Sequence, residues 1–328
     1  MTHTRTFRRL GVAAALPIVL VACSSSSKSS SSLSAAAAPT TAAPATQAPA
    51  TAAPTTAAAP TTQATTAPQG SGPVNVLYAG SLVNLMEKQI GPAFNTATGY
   101  SFSGFSGDSG SLATSIKGKV RRGDVFVGAS PTVNATLEGA ANGNWVSWYA
   151  SFATAPLVIG YNPKSKFAAD LMSKPWYDVI TEPGFLIGRT DPTTDPKGKL
   201  TAMALANAAA TAPGLKAISS STSNVFPENT LVGRLQAGQL DAGFFYATEA
   251  KAAGIPTVPL TGQTLKATYT ITVLANAPDE GGAEAFVSYL LGSQGTAALQ
   301  ADGFTLITPP TVSGTGVPSG LQSLLPAG

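Results

Sequence analysis

The chain has 328 residues, only 11% of them charged, with a formal net charge of +3, one cysteine and one histidine. Arg5, Arg8 and Arg9 sit at the extreme N-terminus; without them sixteen basic side chains face sixteen acidic ones, and that balance gives no basis for attraction to nucleic acid or to an anionic membrane surface. His3 and Cys23 are the only residues of their kinds, so beyond residue 23 the chain can form no Ser-His-acid triad, cysteine nucleophile, disulfide, or zinc site of the usual His/Cys type.

The N-terminal arginines precede the apolar run "GVAAALPIVLVA", Gly11 to Ala22, which is too short to span a bilayer comfortably and reads as a signal peptide over residues 1–22. "LVAC", Leu20 to Cys23, matches the lipobox of bacterial lipoproteins, in which the cysteine is acylated and becomes the new N-terminus. Residues 23–72 are rich in Ser, Ala, Thr, Pro and Gln, with one charge (Lys28) and one large apolar residue (Leu33). Such a segment cannot bury enough surface to offset chain entropy, and as a flexible tether it reaches roughly 40 Å. The expectation is a protein outside the cytoplasm, lipid-anchored to the cell membrane through Cys23.

Strand-length and helix-length segments alternate along the rest. "VNVLYA" (74–79) predicts a strand, followed by a helix from Leu82 to about Ala97 and the alternating "YSFSGFS" (100–106). A short helix from Leu112 to about Val120, the strand "DVFVGA" (124–129) and a helix opening at Pro131 come next. "APLVIGYNP" (155–163) and "FLIGRT" (185–190) read as strands, and "KLTAMALANAAATAPG" (199–214) as a helix closed by Pro213 and Gly214. "LVGRLQAGQLDAGFFYAT" (231–248) reads as helix, turn and strand, "TYTITVLA" (268–275) as a strand, and residues 284–304 as two helices. The alternation predicts an α/β protein with a parallel sheet and helices on both faces, in two halves: 73–155 with 265–328, and 156–264.

Familiar enzyme motifs are missing or unsupported. "GDSG" (107–110) coincides with the residues around a trypsin-like nucleophile, but the globular part has no histidine base. No Gly-Lys-Ser/Thr phosphate loop and no GxGxxG occurs. What does occur is a Gly-Ser step where a strand hands over to a helix, Gly80-Ser81, and a second in "GFSGDSGSLAT", where Ser109 and Ser111 precede the next helix. Free backbone N–H groups and a hydroxyl at the positive end of a helix form a site for an anion, and glycine lets the backbone approach it. Each step alone also fits simple helix capping; two steps after consecutive parallel strands point to one carboxyl edge of the sheet.

"VLYAGSL", "SGSLAT", "GDVFVGAS", "DPTTDPKGKLTAMAL", "LQAGQLDAGFFY" and "AEAFVSYLLGSQGTAALQADGF" resemble, in order and spacing from Val74 to about Pro310, the molybdate/tungstate-binding proteins of ABC importers, most closely the tungstate-type branch. The resemblance implies a two-lobed periplasmic-binding-protein-like type II fold, with mixed, mainly parallel sheets and helices on both faces. An oxyanion would be held by the Gly80-Ser81 step and by Ser111, with Ser109 as a substitute, and Tyr246 would complete the cage. Asp195 of "TDPKG" matches an aspartate that approaches the metal of the oxyanion, and Glu228 of "FPENTL" matches a glutamate that does so, although the spacing also permits Thr230.

The implied protein is a monomer without cofactor or enzymatic activity. Its partners would be molybdate or tungstate, an ABC permease, and the membrane through Cys23. The competing readings are a binder of sulfate or another small oxyanion, a cation held by tyrosine and carboxylates, and, in a different class, an exported hydrolase or sensor domain. Individual residues also have plainer readings: Tyr246 as a core aromatic, Asp195 as turn chemistry before Pro196, Asp108 as a turn cap, and Asp124 as a residue ordering its strand.

Overall fold

The structure, a computed structural model, describes residues 70–326; the signal segment, Cys23 and the tether up to residue 69 lie outside them. The apolar run after the tether forms β1 (Pro73–Ala79), buried along nearly its whole length as expected of a strand covered on both faces. It pairs in parallel with β2 (Ser101–Gly107) and with β3 (Val125–Gly128). Period-two alternation sends Val76 and Tyr78 into the main core and Leu77 into a smaller cluster with Phe126, Leu112 and Ile116.

Next to β3 runs β8 (Lys266–Val273), antiparallel, and next to β8 the 14-residue β4 (Trp148–Tyr161). β4 changes partners along its length. Ala150 to Pro156 pair with β8, whereas Leu157 to Tyr161 pair with β6 (Ala242–Tyr246). β5 (Ile187–Gly188) lies parallel to β6, and β7 (Thr257–Pro259) and β9 (Thr305–Gly314) add antiparallel to β4.

The expectation of a mainly parallel arrangement is therefore corrected. Parallel pairing is confined to β1 with β2, β1 with β3, and β5 with β6, and every other named pairing is antiparallel. The reason is that β4 and β8 run between the two groups of strands in opposite directions, so each group receives antiparallel neighbours. The α/β class stands, with a mixed sheet.

Helix boundaries also differ from the sequence expectations. The segment after β1 is not one regular helix: a 3-10 turn (Gly80–Leu82), an α turn (Val83–Leu85), a π-helical stretch (Met86–Ile90) and an α-helix (Gly91–Thr98) follow one another. Pro92 supplies no N–H to the carbonyl four residues back, and the wider π stretch lies just before it. The helix expected from residue 199 begins earlier, at Pro196–Ala208, because Asp195 caps it: its carboxylate accepts from the Lys197 N–H at 2.7 Å.

From Pro131, only Pro131–Ala135 is α-helical; Gly139 and Gly143, both at positive φ, interrupt the remainder. β9 has no counterpart in the sequence reading. Pro309 and Pro310 disguise it, and they fall where its register with β4 shifts. Asp124, fully buried, accepts from the backbone N–H groups of Asn75 and Asp279 and from the Asn75 amide, tying β1 and the turn after β8 to the start of β3. Among the described residues no helix is long and apolar enough to cross a membrane.

Candidate functional site

β1 and β2 end level, with Ala79 opposite Gly107, so the two Gly-Ser segments leave the sheet from the same edge. Ser81 is buried in the 3-10 turn, and its hydroxyl lies 3.0 Å from the phenol oxygen of Tyr269 on β8. It does not cap that turn; the N-cap position belongs to Ala79. The second step differs from expectation in register. Asp108 occupies the N-cap, which makes Ser109 and Ser111 the first and third residues of the helix Ser109–Lys117 rather than residues preceding it. The Ser109 hydroxyl accepts the Ala129 N–H at 3.2 Å and so joins this turn to the end of β3. Ser111 is half-buried.

Facing them are Asp195, Glu228 and Tyr246. Asp195 precedes its helix, Glu228 is the first residue of the helix Glu228–Gln236, and Tyr246 is the last of β6; their exposures are 1%, 3% and 0%. Thr230 points elsewhere: it is exposed, and its hydroxyl donates to the Pro227 carbonyl. Carboxylate oxygens of Asp108, Asp195 and Glu228 lie within 4.8 Å of one another. The Tyr246 hydroxyl and Asp195 Oδ2 are buried without a hydrogen-bond partner, and the Tyr246 ring packs edge-on against Tyr269 at 6.0 Å. A methyl group on Gly80 would stand 2.6 Å from Glu228 Oε2, so a side chain there would displace that carboxylate.

The sequence reading passes over the cation of this cluster. Lys197 is fully buried; its ammonium donates to both Glu249 oxygens at 2.8 and 3.0 Å and lies 3.3 Å from Glu228 Oε1. Burial acts to lower the pKa of this lysine, but the charges of Glu249, Glu228 and Asp195 outweigh that and raise it above its ordinary value. Burial pushes the Asp195 carboxyl up to about 7, against the pull of Lys197. Burial and then the Asp195 charge hold Glu228 well above the carboxylate range, and burial likewise raises the Tyr246 and Tyr269 phenols, which stay protonated donors. Glu249, which the sequence reading also passes over, is three residues past Tyr246 and accepts weakly from its N–H at 3.4 Å; that spacing at a helix start is the one signal that could have found it.

The two sides of the site touch. The Gly110 N–H donates to the Thr194 carbonyl at 2.8 Å, and the Thr194 hydroxyl donates to Asp108 Oδ2 at 3.2 Å. The Glu228 N–H points at Asp108 Oδ1, 3.4 Å away. Asp108 thus bridges the rim; it holds the N-cap position, but its carboxylate makes no capping hydrogen bond and turns across the site instead, which departs from its plainer reading. The basic stretch at 117–124 lies apart: Lys117 bonds Asn142, and Arg121 stacks on Phe105 at 3.4 Å. Trp148 and Trp176 are core residues, and Trp145 packs against the smaller cluster. Chemically, the site offers hydroxyl and phenol donors, helix-start N–H groups, and carboxylates held beside one ammonium.

A family model described as "Bacterial extracellular solute-binding protein" matches residues 74–305. A putative ABC transporter molybdenum-binding protein of Haloferax volcanii is 30% identical over 222 residues, covering 66% of this chain and 66% of that protein. A molybdate/tungstate-binding protein of Pyrococcus abyssi is 25% identical over 236 residues, covering 56% of this chain and 68% of the relative. Among solved structures, the periplasmic molybdate-binding protein of Azotobacter vinelandii superposes with a TM-score of 0.58 at 21% identity, covering 71% of this chain and 99% of its own. The sulfate-binding protein SubI of Mycobacterium tuberculosis does so with 0.52 at 18%, covering 73% and 88%. At these identities the structural matches establish the fold.

Proposed function

Since the chain belongs to the bacterial extracellular solute-binding protein family, we propose that it captures molybdate or tungstate outside the cytoplasm and delivers it, as a monomer, to an ABC permease. The observation that carries this reading is the convergence of Ser81, Tyr246, Asp195 and Glu228, drawn from four separate segments, on one buried site. The names of the relatives in Haloferax and Pyrococcus support the choice of cargo. On this reading the residues 73–155 with 265–328 form one lobe and 156–264 the other. The change of partners in β4 between Pro156 and Leu157 supports that division.

The donors for the oxyanion are the Ser81 and Tyr246 hydroxyls and the N–H groups at the start of the helix Ser109–Lys117 other than that of Gly110, which Thr194 takes, with Gly80 giving the backbone close access and Ser111 or Ser109 adding a hydroxyl. Carboxylates repel a dianion unless they coordinate its metal or stay protonated, and the raised pKa values of Asp195 and Glu228 suit the second role. Sulfur does not expand its coordination in this way, so the carboxylates favour the metal oxyanions over sulfate. A second reading, a divalent cation, rests on the clustered oxygens of Asp108, Asp195 and Glu228; Lys197 already sits against that cluster and disfavours it.

Calorimetric titration with tungstate, molybdate, sulfate and calcium separates these readings. Saturable heat with tungstate or molybdate, and far weaker binding of sulfate and calcium, is expected; a response to calcium alone would sink the oxyanion reading. We further propose that acylation of Cys23 anchors the protein, so that Cys23→Ser releases it from membranes into the soluble fraction. Continued membrane association would remove the anchor.

A further inference from the structure

A site built to hold an anion holds four carboxylates: Asp108, Asp195, Glu228 and Glu249. Facing the last three is Lys197, with no exposed surface at all. Its ammonium is divided between two of them, gripped by both oxygens of Glu249 and 3.3 Å from Glu228. Glu249 in turn is fixed at the start of the helix Ala247–Ala252, where it also faces the Tyr246 N–H. Lys197 is fixed from the other side by its own N–H, which the Asp195 carboxylate accepts. Asp195, Glu228, Glu249 and, through Glu249, Tyr246 are thus joined by a single lysine, its ammonium on the two glutamates and its backbone N–H on Asp195.

We propose that Lys197, clamped by Glu249, is a positioning residue for oxyanion capture: it offsets the charge of the carboxylates that line the site and holds Glu228 against Gly80. A deepening of the oxyanion reading, this rests on it. The argument is electrostatic and geometric. A buried carboxylate with no counter-charge is strongly disfavoured, and an incoming dianion adds two further negative charges to the same low-dielectric region. Without Lys197 the cluster gains one uncompensated negative charge, and Glu228 loses the contact that sets its orientation. Glu249 contributes by holding the ammonium between the two glutamates, which keeps it from turning toward the cleft as a direct ligand.

The test uses the full-length chain and sodium tungstate as the probe, read by calorimetry, with circular dichroism as the check on folding. Lys197→Met is expected to weaken tungstate binding about 100-fold, the scale of losing one partner of a buried charge pair. The double variant Lys197→Met with Glu249→Gln restores the charge balance without touching a proposed ligand, and should recover about tenfold or more of that loss. A lysine that served only packing gains nothing from the second change. The double variant also guards against a single variant that does not fold, because replacing both members of a buried ion pair is commonly tolerated.

Tungstate binding by Lys197→Met equal to that of the parent overturns the proposal. So does a double variant that folds yet binds no better than a folded single variant, or, where the single variant does not fold, one that binds more than about 100-fold below the parent. If the unsubstituted protein gives no heat with tungstate, the oxyanion reading itself falls, and this one with it. That result is distinguishable from the others because it appears before any substitution is made.

Discussion

Asp195 concentrates the competing demands on a residue of this site. It caps a helix, lies beside a buried lysine, and keeps one oxygen unpartnered. With its pKa raised from 3.8 to about 7 by burial, the folded state binds a proton more tightly than the unfolded chain does. Stability from this group is therefore complete below about pH 4 and is lost as pH rises toward 7. In the absence of cargo, the thermal midpoint should fall across that interval, and Asp195→Asn, which retains a capping oxygen, should flatten the fall when the two proteins are scanned by calorimetry at several pH values. An unaltered slope in the variant would assign the pH dependence to another group. At this scale the sequence disclosed Ser81, Asp195 and Tyr246 through their motifs. It did not disclose Lys197, because a lysine inside "DPKG" looks like an exposed turn residue, and its burial is a property of the folded surroundings alone.

Among elements, what could be read from the chain depended on how local the cause is. β1, β3, β6 and β8 were visible because apolar runs of strand length need no distant partner to be recognised. The sense of their pairing was not visible. Strand-helix alternation suggested parallel neighbours, but the antiparallel insertion of β4 and β8 arises from the order in which segments meet, which no local pattern encodes. The true start of the helix Pro196–Ala208 was signalled by Asp195-Pro196; reading the helix from its apolar spacing instead placed the start too late. The glutamate at 228 illustrates the opposite case. Spacing alone allowed either Glu228 or Thr230; the helix buries Glu228 and leaves Thr230 at the surface.

For the whole molecule, the close approach of Gly110 to Thr194 has a direct consequence. A methyl group at Gly110 would lie 2.4 Å from the Thr194 carbonyl oxygen, inside the range that real contacts allow, and the obstacle is backbone. Gly110→Ala should therefore hold the two sides apart and weaken tungstate binding by about tenfold or more, the value of a lost closing contact. Thermal stability should fall only by the order of the lost Gly110–Thr194 hydrogen bond, about 1 kcal/mol. Small-angle scattering with saturating tungstate should show a larger radius for the variant than for the parent. Equal affinity and equal radius would mean that the rim contact is not needed for capture.

The rim contacts Gly110–Thr194 and Asp108–Thr194 also bear on timing. With Asp195, Glu228 and Tyr246 buried, an ion held among them is expected to leave when those contacts part. Its residence time is then governed by how often the rim parts, rather than by the strength of its own bonds. Tungstate and molybdate could differ in equilibrium affinity and still leave at nearly the same rate, with the difference appearing in how often an encounter ends in closure. A permease that pries the rim open would speed release of either ion alike, which makes unloading a property of the carrier's gate and not of its cargo.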